Sequence, residues 1–178
     1  MSEGPDFQAD ELLHRLVAAG VRFVVIGGLA AQAHGSPSLT ADLDIVPSWD
    51  RENLRRVADV LGDVAAIRHG VAPGSPPLPP LDERTLHAGA VFTLTTRFGR
   101  LDLLASPDPG LDFERLAAGA RTGEVDGVRV AIASLDDLIE MKRAAGRPKD
   151  RVELEILGAL REEIDRLPAD SDRGREPR

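Results

Sequence analysis

A short apolar segment followed at once by two glycines and a helical sequence places the strongest constraint on this chain. Arg22-Phe23-Val24-Val25-Ile26 is rich in β-branched residues, as is typical of a buried strand. Gly27-Gly28 ends that segment, and residues 29–34 have the composition of a helix. A strand that is apolar throughout must be packed against other parts of the protein on both faces of its sheet. The segment therefore predicts a sheet on which helices pack.

The other hydrophobic patterns extend this unit into a mixed domain. Helices are predicted at residues 7–19, 50–61, 113–118, 135–145 and 150–167. Strands are predicted at residues 42–46, 90–96, 100–105 and 125–132, the last with an Asp126-Gly127 hairpin signal. Ser48 is a plausible cap for the helix at residue 50, and Ser134 opens a capping box. The order of elements is typical of an α/β or α+β domain.

One segment between these elements cannot form regular structure. Residues 70–80 contain five prolines and two glycines, which exclude both a helix and a central strand. We expect a loop at this position.

Composition excludes several classes of function. The chain has 178 residues, a formal charge of −8 and no cysteine, so disulfides, a thiol nucleophile and thiolate metal sites are excluded. The N-terminal residues are acidic and lack the pattern of a signal peptide, in which a basic segment is followed by an apolar one. No apolar run approaches the ~20 residues of a membrane span. A cytoplasmic location without membrane contact is expected. The acid excess disfavours a protein that coats DNA non-specifically.

Three aspartates could carry chemistry together. Asp42 and Asp44 are two positions apart on a predicted strand and therefore share a face, where their charges repel unless a cation lies between them. Asp102 is an isolated acid in an otherwise apolar predicted strand. A divalent cation that prefers oxygen, Mg²⁺ above all, would explain all three. Each acid alone is equally compatible with an exposed strand face or edge.

The surrounding residues resemble the active-site signature of the DNA polymerase β-type nucleotidyltransferase superfamily. The matching segments are Gly27-Gly28-Leu29-Ala30, His34-Gly35, Thr40 and Asp42-Leu43-Asp44-Ile45. Two later segments, Leu138-Ile139-Glu140-Met141-Lys142 and Arg147-Pro148-Lys149-Asp150, are similar to a motif of the AbiEii/MenT branch. That branch contains nucleotidyltransferase toxins of bacterial toxin–antitoxin systems. The chain departs from the usual pattern at Gly28, Ser38 and Glu153, where relatives often carry Ser, Arg and Asp.

The resemblance implies a fold and a division of the chain. It implies an α/β (α+β) nucleotidyltransferase fold with a mixed central sheet flanked by helices. Residues 1–133 would form the core, residues 134–167 a small C-terminal helical region of the same domain, and residues 168–178 a disordered tail.

The resemblance also implies a role for each matching residue. Asp42, Asp44 and Asp102 would bind Mg²⁺, or Mn²⁺ in its place, and Asp102 could accept the proton of the attacking hydroxyl. Gly27, Gly28 and Thr40 would contact the nucleotide, and Lys142 would neutralise triphosphate charge. Arg147 and Lys149 would contact phosphate or acceptor, and Asp150 would hold a nearby base or orient the lysine. Helix-end stabilisation is the alternative explanation for Lys142, Asp150 and Glu153.

Three functions are compatible with these residues. The first is transfer of a nucleotide from an NTP to RNA, such as the 3′ end of tRNA, by a toxin that a cognate antitoxin neutralises. The second is the same chemistry on a protein or a small molecule such as an aminoglycoside. The third is a catalytically silent protein that binds nucleotide, RNA or a protein partner.

Overall fold

The computed structural model describes residues 7–71, 75–146 and 150–166. Its helices are α1 (Ala9–Ala18), α2 (Gly27–Ala33), α3 (Arg51–Asp63), α4 (Glu83–Ala88), α5 (Phe113–Gly119), α6 (Leu135–Ala145) and α7 (Asp150–Arg166). Its strands are β1 (Phe23–Ile26), β2 (Asp42–Pro47), β3 (Ile67–Arg68), β4 (Val91–Thr96), β5 (Gly99–Leu104), β6 (Arg121–Val125) and β7 (Val128–Ile132). No helix within these residues is both long and apolar enough to cross a membrane.

The strands form one mixed sheet of seven, in the order β3-β4-β5-β2-β1-β7-β6. Strand β2 lies near the centre, antiparallel to β1 and parallel to β5. Strand β1 also pairs in parallel with β7, and the outer pairs β3–β4, β4–β5 and β6–β7 are antiparallel. The mixed sheet flanked by helices confirms the predicted fold class.

The hydrophobic core follows from the alternation of side chains along β2 and β5. Leu43 and Ile45 on β2 and Leu101 and Leu103 on β5 are all 0% exposed, whereas the intervening residues are only partly buried. All four residues of β1 are buried, as a central strand requires. Helices α1 and α3 contribute leucines to the same cluster. One face of β2 and β5 is therefore sealed, and the other remains accessible.

The predicted cap of α3 was wrong. The side chain of Asp50, not Ser48, accepts the backbone N–H of Asn53 at 3.0 Å. Ser48 instead donates its hydroxyl to Asp50 and accepts from Arg22. Arg22, just before β1, also pairs with Asp50 at 2.6 Å.

Several boundaries also differ from the prediction. Helix α2 begins at Gly27 with no intervening turn, and β6 begins at Arg121, four residues before the predicted hairpin strand. Strand β3 and helix α4, which Asp82 caps by accepting the Thr85 N–H, were not predicted. The expected loop lacks regular structure over residues 75–80, and its residues 72–74 lie outside the described part of the chain.

The C-terminal helices pack onto the rest of the domain. Ser134 caps α6 as predicted by accepting the Asp137 N–H at 3.1 Å. Asp137 is itself 1% exposed and pairs with Arg115 of α5 at 3.1 Å. Helix α7 packs against α6 and buries Leu157 completely. The predicted disordered tail, residues 168–178, lies outside the described residues.

Candidate active site

Three carboxylates meet on the accessible face of β2 and β5. Asp44 lies opposite Asp102 in the parallel pairing of the two strands, and Asp42 lies two residues before Asp44 on the same face. One carboxylate oxygen from each residue lies within 4.8 Å of the other two. The sheet register thus brings together the three aspartates that the sequence grouped: spacing along β2 aligns Asp42 with Asp44, and the pairing of β2 with β5 adds Asp102.

The cluster is electrostatically strained. Burial, followed by the charges of Asp42 and Asp102, raises the pKa of Asp44 to about 7. Burial is also the main cause that raises the pKa of Asp102, and the Asp42 charge adds to it. In addition, Oδ1 of Asp102 is buried without a hydrogen-bond partner. Carboxylates that repel one another and an unpaired buried oxygen fit a divalent cation with oxygen ligands, such as Mg²⁺.

Gly27 allows the start of α2 to approach this cluster. Its φ of +65° belongs to the left-handed region, and a Cβ atom there would lie 2.0 Å from Oδ2 of Asp44. A Cβ on Gly28 would lie 2.6 Å from the Cβ of Thr40. Thr40 donates its hydroxyl to Oδ1 of Asp42 at 2.6 Å. The two glycines therefore make room for Asp44 and for the threonine that orients Asp42.

Arg100 is a site residue that the sequence analysis did not identify. Its Nη2 lies 3.9 Å from Oδ2 of Asp42 and 3.7 Å from Oδ2 of Asp102. It also counteracts the rise of the Asp102 pKa. The signal was present in the sequence, because Arg100 is two residues before Asp102 on one strand and so shares its face.

A cavity of about 180 Å³ adjoins the cluster. Asp44, Gly27 and Lys142 lie in its wall, and the rest of the wall is mainly apolar, formed by residues such as Leu138 and Met141. Lys142 comes from α6, and its charge lowers the pKa of Asp44 against the larger effect of burial. The structure therefore brings the predicted phosphate-binding lysine to the carboxylate cluster.

Glu153 of α7 holds this lysine. Its Oε2 accepts a hydrogen bond from Nζ of Lys142 at 2.5 Å. The sequence predicts the orienting role for Asp150, whose side chain lies outside the described part of the chain, as do Arg147 and Lys149. For Glu153 the sequence indicated a departure from the usual Asp and a helix-end role, because spacing along the sequence does not show which acid of α7 reaches back to α6.

A larger cavity lies away from the carboxylates. It measures about 840 Å³ and is formed by α3, β3 and residues 75–82, and none of the three aspartates lines it. Size alone would point to this cavity, but Asp44, with its raised pKa, and Lys142 line the smaller one, which makes the smaller cavity the candidate site.

Comparison with known proteins identifies the fold. No protein-family model and no curated protein sequence matches this chain. Solved structures match most of it. TM1012 from Thermotoga maritima, assigned as a nucleotidyltransferase, matches with a TM-score of 0.53 and 17% identity over 88% of this chain and 90% of that one. The lincosamide antibiotic adenylyltransferase LnuA, in its lincomycin-bound form, matches with a TM-score of 0.58 and 12% identity over 87% and 99%.

The structure of the antibiotic-resistance factor ANT(2″)-Ia is similar as well. ANT(2″)-Ia in complex with adenylyl-2″-tobramycin matches with a TM-score of 0.52 and 14% identity over 88% of this chain and 96% of that one. The chain therefore has the nucleotidyltransferase fold, in agreement with the expectation from its sequence.

Proposed function

We propose that the protein is a Mg²⁺-dependent nucleotidyltransferase that transfers a nucleoside monophosphate from an NTP to an acceptor hydroxyl. The observation that carries this proposal is the Asp42, Asp44 and Asp102 cluster beside Gly27 and Lys142. Strained carboxylates in a cleft next to a lysine are a combination suited to phosphoryl chemistry. The nucleotidyltransferase fold of the chain supports the same conclusion.

The residues of the chain have distinct tasks in this reaction. Bound Mg²⁺ would supply charge neutralisation at the α-phosphate and at the attacking and leaving oxygens. Asp42, oriented by Thr40, and Asp44 would hold the metal, and Asp102 would complete the ligand set and accept the proton of the acceptor hydroxyl at its carboxylate. Lys142 would contact the triphosphate as a compact cation, and pyrophosphate would leave from that side.

The acceptor in this proposal is RNA, such as the 3′ end of tRNA. The similarity to the AbiEii/MenT motif supports this choice, and with it a role as the cytoplasmic toxin of a toxin–antitoxin pair. Arg143 in the last turn of α6 and Arg151 in the first turn of α7 are both exposed, and they would supply positive charge for an RNA backbone close to Lys142.

A small-molecule acceptor is the second candidate. It is favoured by the structural similarity to LnuA and ANT(2″)-Ia, which are an antibiotic adenylyltransferase and a protein bound to an adenylylated antibiotic. The chemistry at the aspartates would be the same, and only the group that presents the hydroxyl would differ.

A labelling experiment tests the proposal. The protein is incubated with each NTP, labelled in the α-phosphate, together with total RNA, cell protein and a panel of hydroxylated antibiotics, with Mg²⁺ or with EDTA. We expect Mg²⁺-dependent label on RNA that Asp44→Asn abolishes. Label on an antibiotic would select the second candidate. Metal-dependent NTP binding by calorimetry without any transfer would indicate a catalytically silent protein and contradict the proposed activity.

A further inference from the structure

The strand order divides the surroundings of the carboxylates into two flanks. Strand β2, which carries Asp42 and Asp44, has β1 on one side and β5 on the other. Strand β1 leads into Gly27, which lines the 180 Å³ cavity together with Lys142. The opposite flank is formed by β5, β4 and β3. Apart from Asp102, the residues of that flank have no task in the proposed reaction.

The second flank carries polar side chains on the same face as the carboxylates. Thr93 lies opposite Asp102, and Thr95 lies opposite Arg100, in the antiparallel pairing of β4 with β5. Residues paired in this way point to the same face of a sheet. At the end of β3, Nδ1 of His69 lies 2.9 Å from Oγ1 of Thr95. Thr93, Thr95, Arg100 and His69 form a polar flank that continues the carboxylate face beyond Asp102.

Arg100 supplies the polar flank with a permanent positive charge and with hydrogen-bond donors. Its Nη2 lies 3.9 Å from Oδ2 of Asp42 and 3.7 Å from Oδ2 of Asp102, and both distances are longer than a hydrogen bond. Its Nε is buried without a hydrogen-bond partner among the described residues. The side chain is 42% exposed, and a guanidinium group has several donors in a planar fork. A ligand that approaches the carboxylates can therefore use them.

The acceptor hydroxyl of the proposed reaction must come close to this guanidinium group. Asp102 would accept the proton of that hydroxyl, which requires a distance of about 2.6–3.2 Å between the two oxygens. Because Nη2 of Arg100 is 3.7 Å from the same carboxylate, the group that carries the hydroxyl would lie within a few ångströms of it. The chemistry of that group therefore has to suit a guanidinium.

A phosphate next to the hydroxyl suits this position, and a cationic group does not. Phosphate oxygens accept parallel hydrogen bonds from the guanidinium fork and neutralise its charge. The terminal ribose of an RNA carries such a phosphate beside its hydroxyls. An aminoglycoside would instead bring ammonium groups towards Arg100, and like charges at an interface disfavour binding.

We propose that Arg100 determines the acceptor specificity of the site by contacting a phosphate adjacent to the reacting hydroxyl, so that the acceptor is an RNA end rather than a cationic small molecule. The inference rests on the proposed transfer at Asp102. It assigns recognition of the acceptor to the polar flank, on the opposite side of the carboxylates from Lys142 and the proposed triphosphate position.

The test is binding of a short single-stranded RNA with a free 3′ hydroxyl, labelled at its 5′ end, to the full-length protein. Fluorescence anisotropy follows binding at constant Mg²⁺ without NTP, over a series of salt concentrations. The variants are Arg100→Met and Arg100→Lys, and the matched control is Arg97→Met, an exposed arginine in the turn between β4 and β5.

We expect Arg100→Met to weaken RNA binding by about tenfold or more, because it removes hydrogen bonds to a charged group. The slope of log affinity against log salt concentration should become shallower by about 0.7, the value for one phosphate contact on a single strand. Arg100→Lys should keep the slope and lose affinity, since a lysine keeps the charge but lacks the fork. Arg97→Met should bind RNA as the wild type does.

A titration with Mn²⁺, followed by electron paramagnetic resonance, separates an RNA contact from damage to the carboxylates. Arg100→Met removes a positive charge close to Asp42 and Asp102, so it should bind Mn²⁺ at least as tightly as the wild type. Displaced carboxylates would bind Mn²⁺ more weakly. In transfer assays, Arg100→Met should raise the KM for RNA by about tenfold or more and leave the KM for NTP unchanged.

Three results would overturn the inference and leave the proposed nucleotide transfer intact. The first is wild-type RNA affinity and salt slope in Arg100→Met, which would reduce Arg100 to a counter-ion of the carboxylates. The second is a higher KM for NTP alone, and the third is weaker Mn²⁺ binding in that variant. Label transfer to an aminoglycoside rather than to RNA would also overturn it. RNA binding that depends on Arg100, without any label transfer, supports the contact and contradicts the proposed activity.

Discussion

The two faces of β2 and β5 are built from alternating residues of the same strands and yet have opposite properties. On one face, Leu43, Ile45, Leu101 and Leu103 are completely buried in the hydrophobic core. On the other, the carboxylates of Asp42, Asp44 and Asp102 are crowded together, and the pKa of Asp44 is raised to about 7 by burial and by its two neighbours. The first face supplies stability, whereas the second reduces it.

The difference indicates which face the fold uses for chemistry. An apolar face that is sealed has no unmet interactions, so its residues are explained by packing alone. The carboxylate face retains repulsion and a buried, unpaired oxygen on Asp102, which folding alone does not explain. Such local conflict is expected at a functional site, where a ligand completes the interactions that the protein lacks. Substitutions on the two faces should therefore have opposite consequences.

The largest expected effect is on catalysis at the carboxylate face. Asp44→Asn should lower kcat/KM for nucleotide transfer by about 10³-fold or more, because it removes a ligand from a group of residues that act together. Its unfolding in denaturant should remain cooperative. Initial rates with labelled NTP measure the loss, and Glu124→Gln, an exposed acid on β6, is the matched control. Activity within tenfold of the wild type would show that Asp44 is not a ligand.

The next effect is on stability at the sealed face. Leu101→Ala should lower the free energy of unfolding by about 2–5 kcal/mol, since Leu101 is 0% exposed and its loss leaves a cavity. Leu39→Ala is the matched control because Leu39 is 95% exposed. Denaturant unfolding measures both. Equal effects of the two substitutions would contradict the assignment of this face to the core.

The sequence predicted some residues of the carboxylate face but not the contacts between them. The spacing of Asp42 and Asp44 and the isolated position of Asp102 already predicted a shared metal site. Their convergence depends on the register in which Asp44 pairs with Asp102, and a register is set by contacts between distant segments. The same holds for Glu153, which reaches from α7 to Lys142 on α6.

Other elements could not be predicted for local reasons. Strand β3 has only two residues, Ile67 and Arg68, which is too short for any periodicity to show. Helix α4 follows directly after a proline-rich segment that obscures the Asp82 cap signal. At α3, Ser48 and Asp50 are both good caps by residue type, so the type alone does not show which of them precedes the first helical residue.

A smaller effect concerns the dependence of stability on pH. The pKa of Asp44 in the folded state is about 7, well above the usual aspartate value of 3.8. A raised pKa makes the folded state more stable below pH ~4, and this advantage disappears as the pH rises through ~7. In EDTA, the wild type should therefore lose stability between about pH 4 and pH 7, by at most about 4 kcal/mol.

Asp44→Asn isolates this contribution. The variant cannot ionise at that position, so its free energy of unfolding should fall less over the same pH range. The pKa of Asp50 is lowered, chiefly by the hydrogen bond from the Asn53 backbone, so its contribution is lost only at lower pH and cancels between the two proteins. Identical pH profiles for the wild type and Asp44→Asn would contradict the electrostatic strain on this face.

The smallest expected effect compares two glycines that have nearly the same backbone conformation. Gly20 and Gly27 have φ values of +68° and +65°, so alanine at either position costs about 1–2 kcal/mol of backbone strain. A Cβ at Gly20 has no atom within 4 Å, whereas at Gly27 it lies 2.0 Å from Oδ2 of Asp44. Only Gly27→Ala should therefore move the Asp44 carboxylate. We expect the backbone strain to lower the free energy of unfolding by similar amounts in Gly20→Ala and Gly27→Ala. Only Gly27→Ala should also lose Mn²⁺ affinity and kcat/KM, by about 10²-fold or less. Equal metal affinity in the two variants would mean that the carboxylate face tolerates displacement of Asp44, and that its geometry is less constrained than that of the sealed face.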